Sequence, residues 1–227
     1  MVHRKIPLVL AIGLLLAWTA GPAVAGPNPD FKLILHLVPM PEKKREINCF
    51  AKLPKTAAEV VTKGELNQEY LVYVLITDFS PKEGVAGVQF GISYNGAPNE
   101  GVDMTGPWKT CTLYQWPMED WPASNTGNLL TWNQSEDCQE KSPLPVGFFT
   151  VTAYSPDRLK IIPRPVDGMA RIATCGVKMV NPGDKVDSAK LECLGWADFG
   201  GPDGYNPWDP SQIPKNIKFS PIKERKN

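Results

Sequence analysis

The stretch GVAGVQFGISYN, Gly84 to Asn95, decides the fold. Val88, Phe90, Ile92 and Tyr94 alternate with Gln89, Gly91 and Ser93, and Ala86 extends the apolar series. A period of two marks a strand with one buried face. The other face carries Gly87, Gly91 and Ser93, small enough for a neighbouring segment to lie close. The stretch therefore reads as a central strand of an antiparallel sheet. Just upstream, Glu69 to Asp78 reads EYLVYVLITD. Leu71, Tyr73 and Leu75 share one of its faces and Val72, Val74 and Ile76 the other, as in a strand covered on both sides. Ser80-Pro81-Lys82-Glu83-Gly84 is turn material, so the two strands are expected to pair as a hairpin.

Further strands follow the same alternation. They are expected at Phe31 to Leu37, Val102 to Met104, Lys109 to Tyr114, Gly127 to Trp132, Val146 to Tyr154, Arg158 to Ile162 and Gly168 to Cys175. Thr56 to Lys63 suggests one or two helical turns ended by Gly64. Gln115 to Thr126, QWPMEDWPASNT, reads as an irregular loop, and beyond Val177 regularity falls away. Many short strands, frequent turn signals and 23 prolines argue for an all-β, antiparallel β-sandwich with long loops. The expected division is a signal peptide over 1–25, a sandwich domain over 26–200 and an irregular C-terminal extension over 201–227.

The N-terminus carries the targeting signal. Arg4 and Lys5 precede an apolar run from Pro7 to Trp18, and Ala23-Val24-Ala25 is a small-x-small cleavage site. Cleavage after Ala25 leaves 202 residues, 22 basic and 24 acidic, a net charge of −2. That balance argues against nucleic acid as a partner, and no later segment suits membrane insertion. The expected location is secreted, periplasmic or cell-surface. Five cysteines remain, Cys49, Cys111, Cys138, Cys175 and Cys193, an odd number in a compartment that favours disulfides. Spacing alone leaves their connectivity open. Cys111–Cys138 is the first pairing expected, because it closes the loop richest in Trp and Pro, and Cys175–Cys193 the second. Cys49 is then the odd thiol and a route to self-association, alongside exposed sheet edges.

Gly84, Val85, Ala86, Gly87, Phe90, Ile92, Tyr94 and Asn95 together resemble a strand motif of cohesin-like β-sandwich modules of bacterial extracellular proteins. YLVYVLITD resembles the preceding strand of those modules. Gly127 to Trp132 and Gly147 to Val151 sit where later core strands would fall. The resemblance spans about Glu69 to Thr174 and implies a cohesin-like or immunoglobulin-like sandwich. The cysteine set and the Trp-Pro loop are not general features of cohesins. DWPASNTGNLLTW and VGFFTVTAYSPDRLKIIPRPVDGMARIATC are also similar to a group of uncharacterised exported bacterial proteins, a likeness that implies no activity.

Chemistry-bearing patterns are sparse. After cleavage only His36 remains to serve as an imidazole base, and it sits inside an expected strand. GxSxG, HExxH, P-loop and dinucleotide signatures are missing from the sequence. Glu119-Asp120 and Glu136-Asp137 are adjacent acids, which point apart on a strand and are solvated on a loop. An EF-hand fails on spacing, which leaves an irregular calcium site from Asp198, Asp203 and Asp209 to test. No enzyme and no cofactor are expected. The strongest binding signal is aromatic: Tyr114, Trp116, Trp121 and Trp132 lie within nineteen residues. Exposed, they would stack on sugar rings or anchor a protein; buried, Trp132 is core and Trp116 and Trp121 cap the sandwich. The expected function is a secreted non-catalytic binding module for a protein or carbohydrate ligand, the alternative a structural subunit of an envelope layer or extracellular assembly. Asn133-Gln134-Ser135 is a glycosylation sequon, and Lys215, Lys218, Lys223, Arg225 and Lys226 make a basic tail.

Overall fold

Side chains that alternate along a strand must find cover on each face that is apolar. In the computed structural model, which describes residues 26–133, 136–175 and 186–218, that requirement produces two sheets. The signal segment 1–25, Gln134 and Ser135 of the sequon, and Lys223, Arg225 and Lys226 of the tail lie outside the described residues. The strands are β1 (Lys32–Pro39), β2 (Lys63–Gly64), β3 (Glu69–Thr77), β4 (Gly87–Ser93), β5 (Val102–Met104), β6 (Lys109–Thr110), β7 (Tyr114–Pro117), β8 (Thr126–Thr131), β9 (Leu144–Ala153), β10 (Asp157–Ile162), β11 (Arg171–Ala173), β12 (Val186–Ser188) and β13 (Trp196–Phe199).

The first sheet runs β1-β3-β9-β5, with β6 also paired to β9. The second is built on β4. Gly87 to Ile92 of this strand pair with β8 on one edge. On the other edge β11 pairs with its first half and β10 with its second. Beyond these lie β7 on β8, β12 on β11, and β13 then β2 on β10; the β13–β2 pair is parallel. Val72, Val74, Ile76, Phe149 and Val151 from the first sheet meet Val88, Phe90, Ile92, Leu130 and Ile172 from the second, forming the main core. The all-β sandwich expected from the alternation is the observed architecture, and β4 is its central strand.

β10 and β11 run in the same direction along one edge of β4. Ile162 faces Gly91 and Arg171 faces Gln89, so residues 163–170 are inserted opposite the single residue Phe90. The inserted segment folds over the outer face of the sheet. A Cβ on Gly91 or Gly127 would lie 2.9 or 3.2 Å from Pro165 Cδ. The close approach that the small residues of this face anticipate is made by this strap.

The expected β3–β4 hairpin does not form. Both edges of β3 are taken by β1 and β9, eight residue pairs each, and β4 belongs to the other sheet. Residues 78–86 carry the chain across, burying Phe79 and Val85 between the sheets and turning at Gly84, whose φ of +58° suits glycine. The helical turns expected over Thr56 to Lys63 reduce to one 3-10 turn at Ala57–Glu59. Trp116 and Pro117, expected in a loop, lie on β7. β13 was hidden by its brevity.

The outer face of the first sheet holds a second core. Ile34, Val38, Leu71, Tyr73, Leu75 and Phe148 are buried there beneath Met40, Ile47, Leu53, Val60 and Trp208. The cover is fastened at several points. Tyr73 Oη donates to Asn48 O at 2.8 Å, and Asn206 Nδ2 donates to Ala57 O at 3.0 Å. Cys49 is bridged to Cys111 across 62 residues. The second disulfide is Cys138–Cys175. Both pairings depart from the expected ones because the sheets set the neighbours. Cys111 follows β6 on the covered side, beside Cys49. Cys138 and Cys175 flank the same crossover, where Val85 N–H donates to Gln139 O and Cys175 N–H to Glu83 O. Their Cα separations, 5.6 and 5.9 Å, suit a bridge. Cys193 is the free thiol and is fully buried, so neither it nor the bridged Cys49 offers a route to a disulfide-linked dimer. Among the described residues no helix is long and apolar enough to cross a membrane.

Candidate functional site

Pairing register places residues from four strands in two rows. Trp116 faces Leu129, Leu129 faces Gln89, and Gln89 faces Arg171. Beside this row, Tyr114 faces Thr131, Thr131 faces Gly87, and Gly87 faces Ala173. Leu130, Val88 and Ile172, the residues between, point into the core. Both rows therefore lie on the outer face of the second sheet. Tyr114 and Trp116 are 57% and 53% exposed, with ring centroids 6.3 Å apart and planes 38° from parallel. Leu113, also exposed, adjoins them.

Inward from the two rings lies a shallow cleft of ≈ 180 Å³, lined by Gly87, Gln89, Leu129, Thr131, Arg171 and Ala173. Its floor exists because Gly87 has no side chain: a Cβ there would sit 3.1 Å from both Leu130 O and Thr131 Cγ2. The strap holds the Gln89 side chain at the border of the cleft. Gln89 Nε2 donates to Asp167 Oδ2 at 2.9 Å and to Met169 O at 3.3 Å, and Arg164 lies 3.7 Å from the same Asp167 oxygen. Arg171 Nε is buried beside the cleft with no hydrogen-bond partner among the described residues. The cleft is smaller than the roughly 300–1,000 Å³ of sites that enclose a small molecule. A ring or side chain projecting from a larger ligand fits it better.

Only two of the four expected aromatic residues reach this surface. Trp121 packs its ring edge-on against Phe90 at 5.7 Å and Trp108 at 5.5 Å, closing the end of the sandwich. Trp132 is buried in the main core. Trp121 and Trp132 are thus corrected from ligand contacts to packing residues. The Cys111–Cys138 staple expected to stiffen the loop is absent, and β7 is instead held by its ladder with β8. Leu129, Thr131, Gln89 and Arg171 were missed as site residues. The signal that could have found them is the small-residue face of β4, extended sideways by one strand in each direction.

The other chemical candidates are engaged in structure. His36 Nδ1 accepts from Val61 N–H at 3.1 Å, so Nε2 carries the proton and donates to Lys52 O at 3.1 Å. Burial lowers its pKa, against smaller upward pulls from the Lys52 hydrogen bond and Glu59. It is a neutral clamp on the cover of the first sheet. Asp198 is held in a fork by Arg158, at 2.8 and 2.9 Å. Asp203 lies exposed 4.0 Å from Lys63, and Asp209 accepts from Ser211. The three carboxylates considered for calcium are thus spread over separate interactions. Among the described residues no group of three or more His, Cys, Asp or Glu is placed to hold a metal ion.

No protein-family model matches the chain, and no curated protein matches it. The solved structures it is similar to include cohesin modules. The cohesin module of a family 33 glycoside hydrolase from Clostridium perfringens shares 8% identity at a TM-score of 0.42, covering 74% of this chain and 95% of that one. The OlpC cohesin from Clostridium thermocellum, in complex with a dockerin, shares 7% identity at a TM-score of 0.44, covering 75% and 93%. The sixth cohesin of scaffoldin B from Acetivibrio cellulolyticus, also bound to a dockerin, shares 10% identity at a TM-score of 0.40, covering 71% and 99%.

Proposed function

We propose that the protein is an exported, non-catalytic binding module that takes a protein or glycan ligand on the outer face of its second sheet. One observation carries the reading: Tyr114 and Trp116 stand exposed side by side, in register with a cleft, on a paired strand. Large exposed apolar surface on a rigid support is costly to keep unless it is used. Aromatic rings so held give up little conformational entropy on binding and supply most of the energy at interfaces and sugar platforms. Two disulfides support an oxidising location, secreted, periplasmic or cell-surface. An assembly subunit would have to join through sheet edges, since the free thiol is buried.

The test is tryptophan fluorescence of the processed protein under iodide quenching, with and without a panel of soluble polysaccharides. One readily quenched population is expected, lost in Trp116→Ala. Protection by a glycan identifies a carbohydrate ligand. Without such protection, capture of partners from the host's exported fraction is compared between the wild type and Tyr114→Ala/Trp116→Ala. If the double variant retains every interaction of the wild type, the face is not the binding site.

A further inference from the structure

The first described residues are built into the body of the protein. Asn28 is buried; its N–H donates to Asp187 Oδ1 at 3.0 Å, and its Oδ1 accepts from Ser80 N–H at 2.6 Å. Phe31 follows in the main core. Gly26, two residues before this double anchor, rests on the Asp187 carboxyl group. A Cβ built on Gly26 would lie 2.7 Å from Asp187 Cγ and 2.9 Å from Oδ2, so no side chain fits there.

Asp187, on β12, is 0% exposed, and its Oδ2 has no hydrogen-bond partner among the described residues. Burial pushes its carboxyl up to about 6; the Asn28 hydrogen bond opposes this and the charge of Glu83 adds to it. Lys190 and Lys32 are engaged with other groups. Lys190 Nζ lies 2.8 Å from Asp30 Oδ1, and Lys32 Nζ donates to Asp30 O and toward Cys193 Sγ. A buried carboxylate with a bare oxygen is stable only with a counter-charge or a proton.

We propose that Gly26, once freed by cleavage after Ala25, supplies that counter-charge: its new α-ammonium pairs with the Asp187 carboxylate and locks the N-terminus into the fold. The step is peptide hydrolysis. Water gives its hydroxyl to the Ala25 carbonyl carbon and a proton to the Gly26 nitrogen, and the amine takes one more proton from solvent. The ammonium then sits one bond from the Cα whose missing side chain would run into the carboxylate. The proposal rests on the export reading, not on the ligand reading. Processing in this scheme completes the structure around Asp187 in β12 as well as removing the leader. It also explains why the first residue after the cleavage site is glycine.

Two measurements test it separately. The intact mass of the exported protein should correspond to a chain beginning at Gly26; any other start overturns the proposal. Chains with defined N-termini, released from a fusion by a specific protease, are then melted: one starting at Gly26, one keeping Ala25, one starting at Gly26 but acetylated. The extended and acetylated forms should melt about 5–10 °C lower than the free-amine form. In Asp187→Asn the three should melt together. Equal melting of all three with Asp187 intact, or a difference that survives Asp187→Asn, overturns the ion pair. If Asp187→Asn does not fold, the acetylated chain alone decides, since it removes the charge at constant length.

Discussion

The two sheets present opposite solutions on their outer faces. The first sheet's outer face is sealed: Leu71, Tyr73, Leu75 and Phe148 lie under a cover of loops. The second's is left open over Gly87, Leu129 and Thr131, with Tyr114 and Trp116 at its edge. The difference is written in two strands. β3 is apolar at every position through its middle and needs cover on both sides. β4 is apolar on alternate positions only and turns glycine, glutamine and serine to its outer face, where Gly87, Gln89 and Gly91 are still buried by neighbouring side chains and the strap. The sandwich thus carries a second core on one outer face and exposed aromatic rings at the edge of the other.

The largest test of that contrast is the staple of the sealed face. Cys49→Ser/Cys111→Ser frees a loop of 62 residues' separation, and loop entropy sets the loss at about 4 kcal/mol. Urea unfolding reads it directly; a loss below about 1 kcal/mol would mean that the cover holds without its bridge. Leu75→Ala, under the same cover, should cost about 3 kcal/mol by leaving a cavity. An unchanged unfolding midpoint would show that the second core is not a core.

A smaller effect concerns pH. His36 is held neutral with its pKa lowered by burial, whereas in the unfolded chain it titrates near 6.5. The unfolded state therefore binds more protons below that value, and stability should be level above about pH 7 and fall as pH drops through about 6.5. Protonation removes the acceptor for Val61 N–H, a loss of about 1 kcal/mol. Subtracting the pH profile of His36→Gln from that of the wild type isolates the term; identical profiles would remove the clamp from the account. The smallest effect on stability belongs to the open face. Trp116→Ala should change unfolding free energy by no more than about 0.5 kcal/mol, while abolishing ligand contact. A large destabilisation instead would place Trp116 among the packing residues and erase the contrast.

Much of the fold is legible because one apolar face imposes period two on the sequences of β4 and β10, and burial on both faces makes β1, β3 and β9 dense in apolar residues. Partner choice is not, because the pattern of a strand is the same whichever sheet it enters. That is why β3 and β4 read as a hairpin although the chain crosses between sheets at residues 78–86. Disulfide pairing depends on the same crossing: Cys138 and Cys175 meet at the 83–85 segment, a proximity invisible in spacing. Strands of two to four residues, such as β2, β12 and β13, are too short to show a period. At the candidate site, residue type picked out the aromatic cluster, but only the register of β7 on β8 separates Trp116 from Trp121. Leu129 and Arg171 carry no distinctive chemistry of their own and join the site through their neighbours.

β10 and β11 are one edge strand interrupted opposite Phe90, and the interruption has become the strap over Gly91 and Gly127. Register on either side is held independently, so the strap can lengthen, shorten or change composition while the sheet beneath keeps its pairing. It works as a fixed latch over the Gly91 half of β4, leaving the Gly87 half to the cleft. Strand pairing and strap are therefore separable parts of this edge, the strap fastened back by Ala170 in the core and by the Gln89 hydrogen bonds to Asp167 and Met169.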